Sequence, residues 1–369
     1  MTLTIPANDE NRRFIVAEYL VPAAKLEPPF VLSEVDGGRS VACQWESAMG
    51  GAIVRWVVPA LAAGKSVSYR VQHGEASGKG GLSVKEDPGG WLAIATADRE
   101  VTRYCFGPAF EKFKKPFFYP VIAQGRSMTR AYPMEKKAGE ETDHPHHTSV
   151  WFCHGEVNGK DYWSKVPITH KRFIQKSDGP VYAKIVAENA WGTDLTEIQD
   201  VMIFDAGQDV LMDWTITLRA DNGPVVLGKT KEGGFAVRVA TGMTSPDPGR
   251  AQQAFRAKGQ MVDSLGNKGE PAVREHAAPW ADDFGVVDGK IVGVAIMNHP
   301  SSWRHPTHWH VRNYGLFAAN AFFVQGEHQL KKGESITLRY RLYFHGDDPT
   351  AAKVQEVYAG YAAVKVEAN

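Results

Sequence analysis

Two short stretches hold most of the imidazoles. "DHPHHTSVWFCHG" (143–155) contains His144, His146, His147 and His154, and "NHPSSWRHPTHWH" (298–310) contains His299, His305, His308 and His310. Eight of the chain's 13 histidines therefore lie in two segments about 150 residues apart. Imidazole titrates near neutrality and is the commonest protein metal ligand, so such crowding points to acid–base or metal chemistry. Singly, each histidine reads more simply as a hydrogen-bonding loop residue. Two independent segments sharing His-Pro and aromatic composition carry the argument.

Acid–base chemistry would use His146, His147 and His310 to exchange protons with a hydroxyl, a ring oxygen or a leaving group, with Asp143 or Glu232 as base or as orienter of an imidazole. Glu232 sits in "LGKTKEGGFAVRVA" (227–240) beside Lys229 and Lys231, where a carboxylate stays ionised; its simpler reading is a solvated turn. Arg130, Tyr132, Lys229 and Arg312 are candidates to hold substrate oxygens. Trp303 and Trp309 flank the second histidine group and offer flat apolar faces to a sugar ring, and Trp151 and His154 complete the expected lining. A metal-dependent alternative combines His144 and His146 with His299 or His310 around zinc or another divalent ion. His146 and His154 in one strand would lie roughly 27 Å apart, so a metal site must draw on both segments. The sequence itself requires no cofactor. A third alternative is a non-catalytic carbohydrate-binding sandwich.

The elements that must position these groups read as strands. "SVSYRVQH" (66–73), "WLAIATA" (91–97), "VLMDWTITLRA" (210–220) and "SITLRYRLYFHG" (335–346) alternate or concentrate β-branched and aromatic residues between turn-forming clusters. In the last, Ile336, Leu338, Tyr340, Leu342 and Phe344 share one face. His146–His154 also reads as a strand, with Pro145 fixing the chain before it. The one convincing helix is the last, "DDPTAAKVQEVYAGYAA", with Asp348 as its cap. There is no βαβ alternation. The expected fold is all-β: a large antiparallel sandwich with few helices and a C-terminal helix. Residues 101–369 carry both histidine groups and are expected to form the main domain. Residues 1–100 are either a small leading domain or its first strands, and 243–285 is expected to be a loosely structured excursion.

Composition narrows the function classes. The 42 basic and 42 acidic residues cancel, which removes the electrostatic footprint of a nucleic-acid binder. "EKFKKP" reads as a solvated loop. Three cysteines without a C-x-x-C pair argue against a disulfide framework and favour a reducing compartment. The longest apolar run has seven residues, far short of a membrane span. A soluble, cytoplasmic protein acting on a small molecule or oligosaccharide is expected, with an exported form still open. The sequence leaves the oligomeric state open.

Taken together, "KPFFYPVIAQGRSMTRAYPM", "DHPHHTSVWFCHGEVNGKDYW", "TKEGGFAVRVA" and "HPTHWHVRNYG" resemble an uncharacterised family labelled PmoA or methane oxygenase PmoA, over roughly 107–346. The family pattern falls on Asp143, His144, His146, His147, Trp151, His154, Asn158, Asp161 and Trp163, then on His299, His305, Trp309, His310, Arg312 and Tyr314. Asn298 replaces the usual Asp. The resemblance adds Asn158 and Asp161 to the expected substrate-binding set. It implies a galactose-mutarotase-like supersandwich, a superfold whose members mostly pair a histidine acid with a carboxylate base on a concave sheet face. Methane oxidation itself is set aside, because a particulate methane oxygenase needs apolar spans of about 20 residues.

Overall fold

In the computed structural model, residues 1–74, 81–246 and 258–368 are described. Two antiparallel sheets face each other through one core. The first runs in the order His308–Arg312, Leu316–Asn320, Gly233–Arg238, Val150–His154, Phe117–Ala123, Glu100–Cys105, Trp91–Ala95, Ser83–Asp87. Short Arg126–Ser127 pairs beside Phe117–Ala123 and makes it nine-stranded. The second has eight strands, in the order Ile168–Ser177, Ala183–Trp191, Leu195–Ala206, Asp209–Arg219, Ser335–Gly346, Lys290–Asn298, Trp280–Val287, Gln260–Asp263. Alternation explains the packing. Ile336, Leu338, Tyr340, Leu342 and Phe344 point into the core with Trp214, and Phe118, Phe235 and Val237 meet them from the opposite sheet. The fold is an all-β sandwich.

The first strands form a smaller unit. Thr2–Ile5, Val67–His73, Phe30–Glu34 and Ser40–Val41 make one sheet, and Arg12–Pro22, Gly51–Leu61 and Cys43–Ala48 another. Leu3, Ile15, Val54, Trp56 and Tyr69 form their own core. The change of sheet falls between His73 and Ser83, since Ser83–Asp87 and Trp91–Ala95 already belong to the nine-stranded sheet.

Three local expectations change. His146–Thr148 is not strand: His144 and Ser149 have φ near 50° and 68°, and the His147 N–H closes a turn onto the His144 carbonyl, so the strand starts at Val150. Residues 243–285 are more ordered than expected, for Gln260–Asp263 and Trp280–Val287 join the eight-stranded sheet; 247–257 lie outside the described residues. The helix starts late, at Val354, because Asp348 caps the preceding turn through the N–H groups of Thr350 and Ala351.

Candidate active site

Register places the two histidine segments on the same sheet. His310 is paired with Ala318, Ala318 with Ala236, and Ala236 with Trp151. Residues paired in this way share a face, and three inter-strand steps span about 14 Å. The row above is Arg312–Leu316–Arg238, and His308 pairs with Asn320 in the row below. The opposite face, with Trp309, Phe317, Phe235 and Phe152, is sandwich core.

At one end of this face the turn before Val150 is held by an ionic clasp. Arg130 and Arg238 both donate to Asp143 Oδ1, at 3.0 and 2.6 Å. Arg238 also donates to His147 Nδ1 at 3.0 Å. That bond assigns the His147 tautomer: Nδ1 accepts, so Nε2 carries the hydrogen. The His147 ring lies between His144 and Trp151, with centroids at 4.8 and 5.3 Å, and His146 meets it edge-on at 4.6 Å. Tyr314 joins the two segments: its ring stacks on His144 at 4.5 Å, its carbonyl accepts from Arg130, and Arg238 and Arg312 flank it. Behind the turn, Lys115 is buried and donates to the carbonyls of His146 and Trp163 at 3.0 and 2.7 Å.

Burial disfavours the protonated form of His146, His147 and His310. Desolvation, aided by Lys115 and His144, pushes His146 down to about 4. Desolvation and then Arg238 hold His147 well below the ordinary value. His310 is pushed down to about 3 by desolvation, with Arg274, Arg312 and Lys231 adding to it. His310 Nδ1 has no hydrogen-bond partner, although the residue is only 2% exposed. Trp151 Nε1, Trp163 Nε1, Thr148 Oγ1 and His308 Nδ1 are likewise buried without partners. His144 Nδ1 lies 2.9 Å from Asp143 Oδ2 but at an angle too poor for a hydrogen bond.

Several expected site residues lie elsewhere or serve the fold. Trp309 points into the core and donates to the Ala278 carbonyl, because it alternates with His308 and His310. His154 is buried, with Nε2 on the Gly228 carbonyl and its ring against Phe322. Asn158 ties its turn to Val226 and Asp194. Asp161 caps the N–H groups of Trp163 and Ser164. Tyr132 is anchored by its backbone N–H on Glu140. Lys229 is exposed, and Glu232 lies 3.9 Å from Lys231, while its carbonyl accepts from Gly155 N–H. Arg312 pairs with Glu270, and Trp303 packs on Phe322, His328 and Arg304. His299 sits at the end of a strand of the other sheet, against Tyr361 of the C-terminal helix.

Among the described residues no three His, Cys, Asp or Glu side chains are grouped to hold an ion, and His299 lies by the other sheet, apart from His144 and His146.

Arg238, Lys115 and Tyr314 hold the candidate site together, and the sequence reading gave none of them a role there. Arg238 left a trace: a lone arginine within the apolar strand "GGFAVR" demands a buried partner. Lys115 left none, since "EKFKKP" holds three lysines of which only this one is buried.

Comparison with known proteins now places the chain. Residues 92–359 match a family of unknown function, DUF6807. The chain belongs to the DUF6807 family. The label PmoA finds no support beside this match. No curated protein matches the sequence. Among solved structures, this DUF6807 chain is similar to an alpha-mannosidase from Enterococcus faecalis V583, with TM-score 0.49 and 12% identity over 99% of this chain and 45% of that one. It is also similar to a glycosyl hydrolase family 38 protein from Enterococcus faecalis, with TM-score 0.46 and 12% identity over 99% and 47%. A heparan sulfate lyase HepC mutant from Pedobacter heparinus gives TM-score 0.40 and 8% identity over 75% and 38%. The chain thus spans less than half the length of each. Among the described residues no helix is long and apolar enough to cross a membrane.

Proposed function

We propose that the protein is an enzyme that moves protons on a sugar or sugar acid at the outer face of the nine-stranded sheet. The observation that carries this reading is that buried nitrogens of His308, His310 and Trp151, on one face of the sheet, lack protein partners. Burying such groups unpaired costs about 1–3 kcal/mol each, so they call for a polyhydroxylated ligand or ordered water. Trp151 and Tyr314 supply apolar faces and His147 Nε2–H a fixed donor.

Protonation favours isomerisation or elimination over hydrolysis. Glycoside hydrolysis needs two carboxyl groups flanking the bond, one of them kept protonated. Here Asp143 is held between two guanidiniums and Glu232 sits on the exposed loop. The imidazoles, unprotonated at neutral pH, accept protons instead. In this reading His146 is the acceptor, and the Arg130–Arg238 pair balances negative charge that develops on the substrate.

The test is incubation of sugars and sugar acids in D2O, followed by NMR for deuterium at carbon and for new alkene signals. Wild type should exchange or eliminate at least one substrate. His146→Ala and His310→Ala should lower that rate by about 100-fold or more while retaining the native circular dichroism. Binding of a sugar with no exchange, isomerisation or elimination would leave a carbohydrate-binding protein instead.

A further inference from the structure

A second titratable group lies deep between the sheets, in a setting that the chemistry above does not use. Glu197 is fully buried in Leu195–Ala206 and meets three neutral donors: Asn189 Nδ2 at 3.3 Å and Trp191 Nε1 at 3.0 Å on Oε2, and Gln199 Nε2 at 2.8 Å on Oε1. Among the described residues no lysine or arginine pairs with it. The oxygen of the same amide, Gln199 Oε1, is buried without a partner.

An amide's oxygen and nitrogen have nearly the same shape, so Gln199 can turn over in place. In one orientation its N–H donates to an ionised Glu197. In the other its oxygen stands about 2.8 Å from Glu197 Oε1, an ordinary length for O–H···O from a protonated carboxyl. Either protonation state of Glu197 therefore finds a bond there; turning pairs the amide oxygen and leaves the amide N–H group in the position the oxygen held. We propose that Glu197 and Gln199 form a proton-operated switch in the sandwich core, in which uptake of one proton reverses the amide and alters the hold on Trp191.

The surroundings support this. Desolvation raises Glu197 to about 7, against the three donor bonds that favour the anion. The other titratable groups facing it are Tyr104, Cys153 and, through Asn189, His170. Burial raises the first two, Cys153 to about 12, and lowers His170. Trp191 leads outward to the proposed site. Its ring lies 5.8 Å from Phe152, next to Trp151, and 5.3 Å from Tyr162, whose hydroxyl donates to the Trp191 carbonyl. Tyr162 stands between Asp161 and Trp163 in the turn that Lys115 braces. The switch rests on the sugar-enzyme reading only for what it regulates.

NMR of the full chain between pH 5.5 and 8.5 tests the switch without any substrate. The Trp191 indole N–H and the carboxyl carbon of Glu197, in protein labelled at glutamate, should shift together with one midpoint near 7. Glu197→Gln should abolish the indole shift. A Glu197 carboxyl carbon whose shift stays flat from pH 5.5 to 8.5, or a Trp191 indole indifferent to pH across this range, overturns the proposal. Both readings come from wild type, so they decide the matter even if the variant does not fold. Failure to find turnover would remove the regulated reaction but leave these midpoints unchanged.

Discussion

Arg238 binds Asp143 through one nitrogen and His147 through another, and so converts a buried charge into an orientation. The same burial that orients the imidazoles makes them a liability in acid. His146 and His154 are held near 4 and His310 near 3, against 6.5 for a free imidazole. Between those values the unfolded chain takes protons that the folded chain refuses, so stability is present above about pH 6.5 and is lost as pH falls. Each such group contributes up to about 1.4 kcal/mol per pH unit. Glu197 acts with the opposite sign, since its folded value is raised: its contribution is full below 4.5 and fades as pH rises through about 7. Asp200, Asp283 and His345 are raised as well and act with Glu197, but nine imidazoles are held low, and the histidines win. Urea unfolding at pH 7.5 and 5.5 should show a marked loss at the lower pH. His154→Gln, which can still donate to the Gly228 carbonyl, should flatten that dependence by about one proton. An unchanged slope would mean that His154 is not held neutral by the fold.

At the scale of elements, the turn 143–149 and the turn 157–166 are joined by one ammonium. Lys115→Met leaves the carbonyls of His146 and Trp163 without their donor and should cost about 2–4 kcal/mol. The same change at exposed Lys112 or Lys114 should stay within about 0.5 kcal/mol. Equal losses at all three positions in urea unfolding would remove the brace. This contrast also marks what the sequence reveals. The strands were legible because alternation is local: "HWHVR" puts His308, His310 and Arg312 on one side and Trp309 on the other. Which side meets the core depends on the sheet opposite, so Trp309 was misread as a sugar platform. The turn at His146 was misread as strand because the positive φ at Ser149 is set by distant partners, among them the Thr129 hydroxyl. Lys115 was invisible for the same reason, as its burial comes from two turns far along the chain.

The whole molecule adds a layer that alternation alone does not foresee. In "SITLRYRLYF" the face opposite the core carries Arg341 and Tyr343, yet both are buried, because the N-terminal unit and the C-terminal helix cover the outside of the eight-stranded sheet. Phe14, Val16 and Val57 pack there against Phe204, Leu211 and Tyr343, and Glu367–Ala368 returns to pair with Thr2–Ile5. Arg341 is the ionic rivet of this contact: it donates twice to Asp213, at 2.6 and 2.7 Å, and once across to the Phe14 carbonyl. Removing one partner of a buried pair costs about 3–5 kcal/mol, since the other charge stays buried, whereas replacing both with apolar groups is often close to neutral. Arg341→Met should therefore destabilise strongly and split thermal unfolding, with the N-terminal unit separating at lower temperature. The double change Arg341→Met with Asp213→Leu should recover most of the loss but not the bond to Phe14. If the single variant unfolds in one unshifted transition, the ion pair does not hold the two units together, and the apolar contact does so alone.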